Sequence, residues 1–151
     1  MPLHAAIDVG SHATKLLLAS QRPDGRWRRR LERIVITGLG RGRPERDGLD
    51  ADAAHRTLLA LTDLAALVRA SRVVSVTAAG TAVLRRARDA DAFVSRVRAA
   101  TGLELRVLSG EQEARLTHLG AVANLPDLDG ALVTCDIGGR STELTWGRGA
   151  A

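Results

Sequence analysis

Two rhythms of apolar positions run along the chain. Residues 3–9, LHAAIDV, form an apolar run with Asp8 near its end, and residues 14–20, TKLLLAS, form another after the turn GSHA, so together they predict a hairpin bent at glycine. RPDG at 22–25 is a proline-led turn. The alternation in RWRRRLERIVIT then predicts a third strand, with Trp27, Arg29 and Leu31 on one side and its arginines on a solvated face. The stretch 38–48, GLGRGRPERDG, opens no convincing helix, so its GxGxG spacing carries little weight as a nucleotide fingerprint and reads as a flexible connection. Helical spacing follows: Ala54, Leu58, Leu61, Ala65 and Val68 recur at three- and four-residue steps, and Asp50 stands where an N-cap belongs, giving a helix over about 51–70. Residues 72–78, RVVSVTA, predict a buried strand, AGTAVLRRA a loop entering a short helix, and Asp89 the cap of a helix that runs to Ala100 and ends at Gly102. LELRVLS from 103 to 109 is the next strand, GEQEARLTHLGAVANL the next helix, stopped by Pro126, and GALVTCDI with STELTW a second strand–turn–strand unit.

The predicted order is therefore β-β-β-α-β-α-β-α-β-β. A meander that continues through helical crossovers implies an α/β fold with a mixed sheet and helices against it. The chain has 151 residues, 45% of them hydrophobic, enough for the core of one ordinary domain and too few for a second full one. No apolar stretch approaches the roughly 20 residues that span a bilayer, and the N-terminus MPLHAAIDVGS lacks the order of a signal peptide, so a soluble, cytoplasmic protein with no membrane partner is expected. A single cysteine, Cys135, excludes a disulfide framework and a cysteine zinc site, and reads as apolar packing within a strand. His12, His55 and His118 show no metal-ligand spacing. The net charge of +5 is compatible with a polyanionic partner, but only 2% of residues are aromatic, which argues against specific nucleic-acid recognition by base stacking.

The two hairpins resemble each other, as AIDVGSHATKLLLA and TCDIGGRSTELTWG. Each puts an aspartate at a strand end, just before a glycine turn that carries a hydroxyl. Such a turn lets backbone N–H groups surround an anion, and an aspartate beside it can hold Mg²⁺ directly or through water. One Asp-X-Gly turn is weak evidence. Two, separated by helical crossovers able to set them face to face, are much stronger.

AAIDVGSHATKLLLA and LVTCDIGGRSTEL resemble the two phosphate loops of the actin, Hsp70 and sugar kinase superfamily. TAAGTAVLRRARDADAF followed by TGLELRVLSGEQEARLTHLGAV narrows the resemblance to the exopolyphosphatase and guanosine pentaphosphate phosphatase family, over nearly the whole chain. The resemblance implies a ribonuclease H-like (actin-like ATPase) domain over 1–126 and, over 127–151, the first hairpin of an incomplete second domain. It also implies hydrolysis of a terminal phosphoanhydride in polyphosphate or in guanosine pentaphosphate, with a divalent cation such as Mg²⁺. Glu113 falls on the family's catalytic base, and Arg85 on an arginine that contacts the phosphate chain. Asp8, Asp136 and Glu143 match acidic positions near the metal and the attacking water, while Gly10, Ser11, Gly138, Gly139, Ser141 and Thr142 match loop positions around the phosphates.

Three features depart from the family pattern. His12 and Ala13 replace an asparagine and a small hydroxyl residue, so His12 takes a phosphate-loop position with different donors. Arg140 stands where the second loop carries its third glycine. If that position needs φ > 0 or close backbone approach, a side chain there is strained and obstructs the phosphate. Otherwise its guanidinium either pairs with the phosphate or points to solvent. Finally, the family's active site lies between two domains and this chain is short, so a missing C-terminal domain or a second copy in a homodimer is needed to complete the cleft. These departures leave two further readings: a catalytically impaired module that binds polyphosphate or guanosine penta- or tetraphosphate, and general polyanion binding through the arginines.

Overall fold

The fold is known from a computed structural model, which describes residues 1–126 and 130–147. Strands β1 (Leu3–Val9), β2 (Ala13–Gln21) and β3 (Trp27–Ile36) form an antiparallel meander. A single turn α1 (Pro44–Asp47) and the long helix α2 (Ala51–Ala70) carry the chain across to β4 (Ser75–Gly80), which pairs parallel with β1. Helices α3 (Ala82–Arg86) and α4 (Ala90–Thr101) lead to β5 (Leu105–Val107), parallel to β4, and α5 (Gly110–Val122) leads out of the sheet. The five strands lie in the order β3-β2-β1-β4-β5, while β6 (Leu132–Ile137) and β7 (Thr142–Gly147) make a separate antiparallel pair. The mixed sheet and the element order expected from the apolar rhythm are both present. The expected boundary between residues 126 and 127 borders residues 127–129, which lie outside the described residues.

Alternation along β1 sends Ala5, Ile7 and Val9 into the core, where Leu16 and Leu18 of β2 and Ala78 of β4 join them. Leu61, Leu64, Ala65 and Val68 of α2, with Phe93 and Val97 of α4, complete it. Asp50 caps α2 as expected, accepting a hydrogen bond from Ala53 N–H at 2.8 Å. Gly102 ends α4 in the left-handed conformation, φ 73°.

Several local expectations are corrected. A bulge between Leu18 and Ala19 pairs Leu31 with Leu18 but Arg29 with Ala19, so Arg30 is the extra residue and Leu31 leaves the side that Arg29 occupies. Strand β4 starts at Ser75 because Arg72, at φ 50°, turns the chain out of α2. Asp89 stands at the start of α4 but does not cap it; its Oδ1 accepts instead from Leu49 N–H at 2.9 Å. Cys135 is exposed, on the face of β6 that also carries Val133 and Ile137. The glycine-rich stretch 38–48 is tied down at many points rather than loose: Leu39 is fully buried, Pro44 opens α1, and Gly38 and Gly40 N–H donate to His12 and Ser11 carbonyls.

Phe93 is the chain's one phenylalanine and is fully buried between the helical layer and the sheet. Phe93→Ala is expected to destabilise the fold by about 3–5 kcal/mol in urea unfolding, from lost burial and the cavity left behind. A loss under about 1 kcal/mol would mean that the helical layer does not pack as described.

Candidate functional site

The core takes the odd-numbered residues of β1, so alternation puts Asp8 on the sheet's other face, at the strand's C-terminal end. Two residues on, Gly10 N–H donates to the Ala13 carbonyl at 3.0 Å, and Asp8 lies directly opposite Lys15. The second hairpin repeats this at the same offsets. Gly138 N–H donates to the Ser141 carbonyl at 2.9 Å, and Asp136 lies directly opposite Glu143. A Cβ would sit 3.1 Å from the acceptor carbonyl at Gly10 and 3.3 Å at Gly138, so glycine is what keeps both turns tight.

The two turns meet. A Cβ on Gly139 would lie 3.5 Å from Ser11 Cβ and 3.6 Å from His12 Cβ. Between them opens a cavity of about 410 Å³, lined by Asp8, Gly10, Ser11 and His12 on one side and by Asp136, Gly138, Gly139, Arg140, Ser141 and Glu143 on the other, with Glu113 entering from α5. Every site residue expected from the sequence lines this cavity except Arg85 and Thr142. Thr142 is the exposed first residue of β7.

Glu113 arrives through a well-determined helix start. Ser109 and Gln112 form a reciprocal capping box, which fixes the first turn of α5. The inner face of β6 and β7 then seats α5: His118 Nδ1 lies 2.8 Å from Thr134 Oγ1, Thr145 Oγ1 donates to the Ala114 carbonyl at 3.3 Å, and Thr117 Oγ1 makes a long 3.5 Å contact to Asp136 Oδ2. One helix therefore carries Glu113 and also holds the second hairpin. Arg85 stands behind Glu113 rather than in the cavity. Its Nη1 donates both to Glu113 Oε2 at 2.9 Å and to the Leu108 carbonyl at 2.8 Å, and the Glu113 side chain is only 12% exposed. Among the described residues the other carboxylate oxygen, Oε1, makes no hydrogen bond.

Arg140 lines the cavity, but its guanidinium does not point to solvent. Its φ is not positive, so the backbone carries no strain for lacking glycine. Its Nε and Nη2 donate to the carbonyls of Gly40 and Gly42, and Nη1 lies 3.7 Å from Glu45. The guanidinium thus faces the 38–48 segment.

Lys15 and Thr81 also line the cavity, and the apolar pattern did not single them out. Each had a signal in the pairing. Lys15 sits on Asp8's face because hairpin register pairs them, and Thr81 follows the C-terminal end of β4, which runs parallel to β1 and beside its turn.

The acidic groups fit a cation with few protein ligands. Asp136 and Glu143, directly opposite across an antiparallel pair, repel each other, and Asp8 Oδ1 is buried with no hydrogen-bond partner. Among the described residues no three acidic, histidine or cysteine side chains close into a metal cluster. Asp8, Asp136 and Glu143 on the cavity wall are the groups that could hold a hard divalent cation such as Mg²⁺, which takes one or two carboxylates plus waters and phosphate oxygens.

A five-stranded mixed sheet with two matched glycine turns across a carboxylate-lined cavity is the actin-like, ribonuclease H-like class of phosphate-handling domain. The model of the Ppx/GppA phosphatase family matches residues 28–151, and the chain belongs to that family. It is 32% identical over 148 residues to a guanosine-5'-triphosphate,3'-diphosphate pyrophosphatase of Vibrio atlanticus, covering 98% of this chain and 29% of that one. Among solved structures it superposes on the Aquifex aeolicus Ppx/GppA family member with a TM-score of 0.87 and 34% identity, covering 99% of this chain and 48% of that one. An exopolyphosphatase from Cytophaga hutchinsonii gives 0.88 and 25% identity, covering 97% and 46%. The chain therefore spans under a third of that curated relative and about half of those solved chains. Among the described residues no helix is long and apolar enough to cross a membrane.

Burial pushes the Asp8 carboxyl above its ordinary value; Lys15 opposes the rise, and Glu113 and Asp136 add to it. The two oxygens differ, since Oδ1 is buried without a partner while Oδ2 lies 4.0 Å from Lys15 Nζ on the half-exposed side. A folded carboxyl that holds its proton more tightly than the unfolded one costs stability as pH rises from the ordinary value through the raised one. Asp8→Asn is therefore expected to melt higher than the parent at pH 7 in EDTA, with the gain fading below the ordinary value of 3.8. A variant that melts lower at pH 7 would show that the buried charge is compensated.

Proposed function

We propose that this chain supplies the first domain and the second phosphate turn of a hydrolase that removes the terminal phosphate from inorganic polyphosphate or guanosine pentaphosphate. The observation that carries this reading is the entry of Glu113 between two matched glycine turns. The relatives' names support it: one is a guanosine pentaphosphate pyrophosphatase and one an exopolyphosphatase. Residues 1–126 form the first domain in this reading, and 127–151 begin a second whose remaining wall comes from further sequence or from a second copy. An exposed free thiol at Cys135 suits a reducing cytoplasm.

The residues divide the work as follows. With the Gly10 and Gly138 N–H groups closing the turns, the amides that follow them, of Ser11 and His12 and of Gly139 and Arg140, surround the terminal phosphate, with the hydroxyls of Ser11 and Ser141 as further donors. Lys15, on the cavity wall, adds positive charge beside Asp8. One or two of Asp8, Asp136 and Glu143 would hold a divalent cation, Mg²⁺ in the simplest case, which when bound would neutralise phosphate oxygens and offset the repulsion between the paired carboxylates. Glu113, with Oε2 fixed by Arg85, turns Oε1 to a water and takes its proton as the water oxygen attacks the terminal phosphorus. Arg85 acts by orienting that carboxylate. The anhydride P–O bond breaks and the shortened chain leaves with its oxygen charge spread over the phosphate.

Glu113→Gln keeps the shape and removes the base. Phosphate release from long polyphosphate and from guanosine pentaphosphate, read by malachite green, is expected to fall by about 10²–10⁴-fold. Unchanged release by the variant would remove Glu113 from the chemistry. Saturable binding by the parent with no release would replace hydrolysis with a binding and regulatory role.

A further inference from the structure

We propose that Arg140 is a positioning residue, a clasp that ties the second phosphate turn to the 38–42 segment and through it to the first turn. The ties form a closed circuit. Gly38 and Gly40 N–H donate to the carbonyls of His12 and Ser11 at 2.9 and 2.8 Å, and Arg140 Nε and Nη2 donate to Gly40 and Gly42 at 2.8 and 2.5 Å. Gly40 is the shared member, with its N–H on one turn and its carbonyl on the other. A Cβ there would lie 2.8 Å from Ser11 Cβ and 3.0 Å from Arg140 Nε, so only glycine lets the two turns close on it. The segment is itself immobilised by fully buried Leu39, and by Arg88 N–H, which donates to Pro44.

Two carbonyls in divergent positions need a planar fork of donors, which arginine has and lysine lacks. The guanidinium's donors toward these carbonyls are occupied, and Glu45 at 3.7 Å offsets its charge. Arg140 therefore sets the spacing between the two turns and adds little charge to the anion itself. The GLGRGRP stretch thereby braces the two turns from outside the cavity lining.

The phosphate part of this proposal rests on the hydrolase reading; the clasp does not, and two measurements separate them. Amide hydrogen exchange in the protein made from its native gene reads the clasp alone. Arg140→Gly and Arg140→Lys are both expected to speed exchange at Gly38, Gly40, Arg41 and Gly138 by about tenfold or more, with α2 protection unchanged as a control for folding. Parent-like exchange in Arg140→Gly, or its restoration by Arg140→Lys, overturns the clasp.

Calorimetric titration with imidotriphosphate and Mg²⁺ reads the positioning role. Both variants are expected to bind several-fold more weakly than the parent with the same dependence on salt. A salt slope reduced by about one in Arg140→Gly, and restored in Arg140→Lys, would make Arg140 a direct phosphate ligand and overturn positioning. A parent that binds no imidotriphosphate overturns the hydrolase reading and positioning together, while the clasp still stands or falls on exchange.

Discussion

The hydrogen bond from a glycine N–H to the carbonyl three residues on, made once at Gly10 and again at Gly138, is the constraint on which the site depends. It folds each hairpin tightly enough that a strand-end carboxylate and a row of backbone amides share one small volume. Neither turn encloses an anion alone. Convergence comes from α5, which the inner face of β6 and β7 grips through Thr134 and Thr145 while its capped first turn delivers Glu113. The five-stranded sheet serves as the rigid edge against which this happens, its core face filled and its other face left for Asp8.

The site is electrostatically costly without ligands. Asp136 and Glu143 face each other across a strand pair, and one oxygen of Asp8 is buried without a partner. Folds keep such arrangements where a ligand relieves them. Arg85 neutralises Glu113 from behind and Lys15 partly neutralises Asp8 from the side, so the positive charge on the protein flanks the carboxylates and leaves room between them. A divalent cation would bring the positive charge that this carboxylate-lined volume lacks, and would let a phosphate chain enter with it.

Much of this was legible in the chain. The hairpin repeat, the helix from Asp50 and the glycine stop at Gly102 depend on local spacing, and local spacing is what a sequence displays. Asp8, Asp136 and the paired glycines stand out in that repeat, whereas Glu113 could be named only through the family resemblance. What escaped depended on contacts between distant segments. The bulge at Arg30 flips a face through pairing with β2, and Asp89 abandons its helix for the Leu49 amide 40 residues away. Arg140 reads as an obstruction or a ligand until the carbonyls of Gly40 and Gly42, about 100 residues earlier, come within its reach. Lys15 was hidden among the basic residues because only strand register sets it on the face of Asp8.

The account's central claim is that both turns hold one terminal phosphate within reach of Glu113. Its most direct test is a crystal structure of the protein made from its native gene with imidotriphosphate and Mg²⁺. The account predicts a terminal phosphate within hydrogen-bonding distance of amides from both turns, a cation on Asp8, Asp136 or Glu143, and a water between Glu113 and the phosphorus. An anion bound on the arginines of β3, or touching one turn alone, would contradict it.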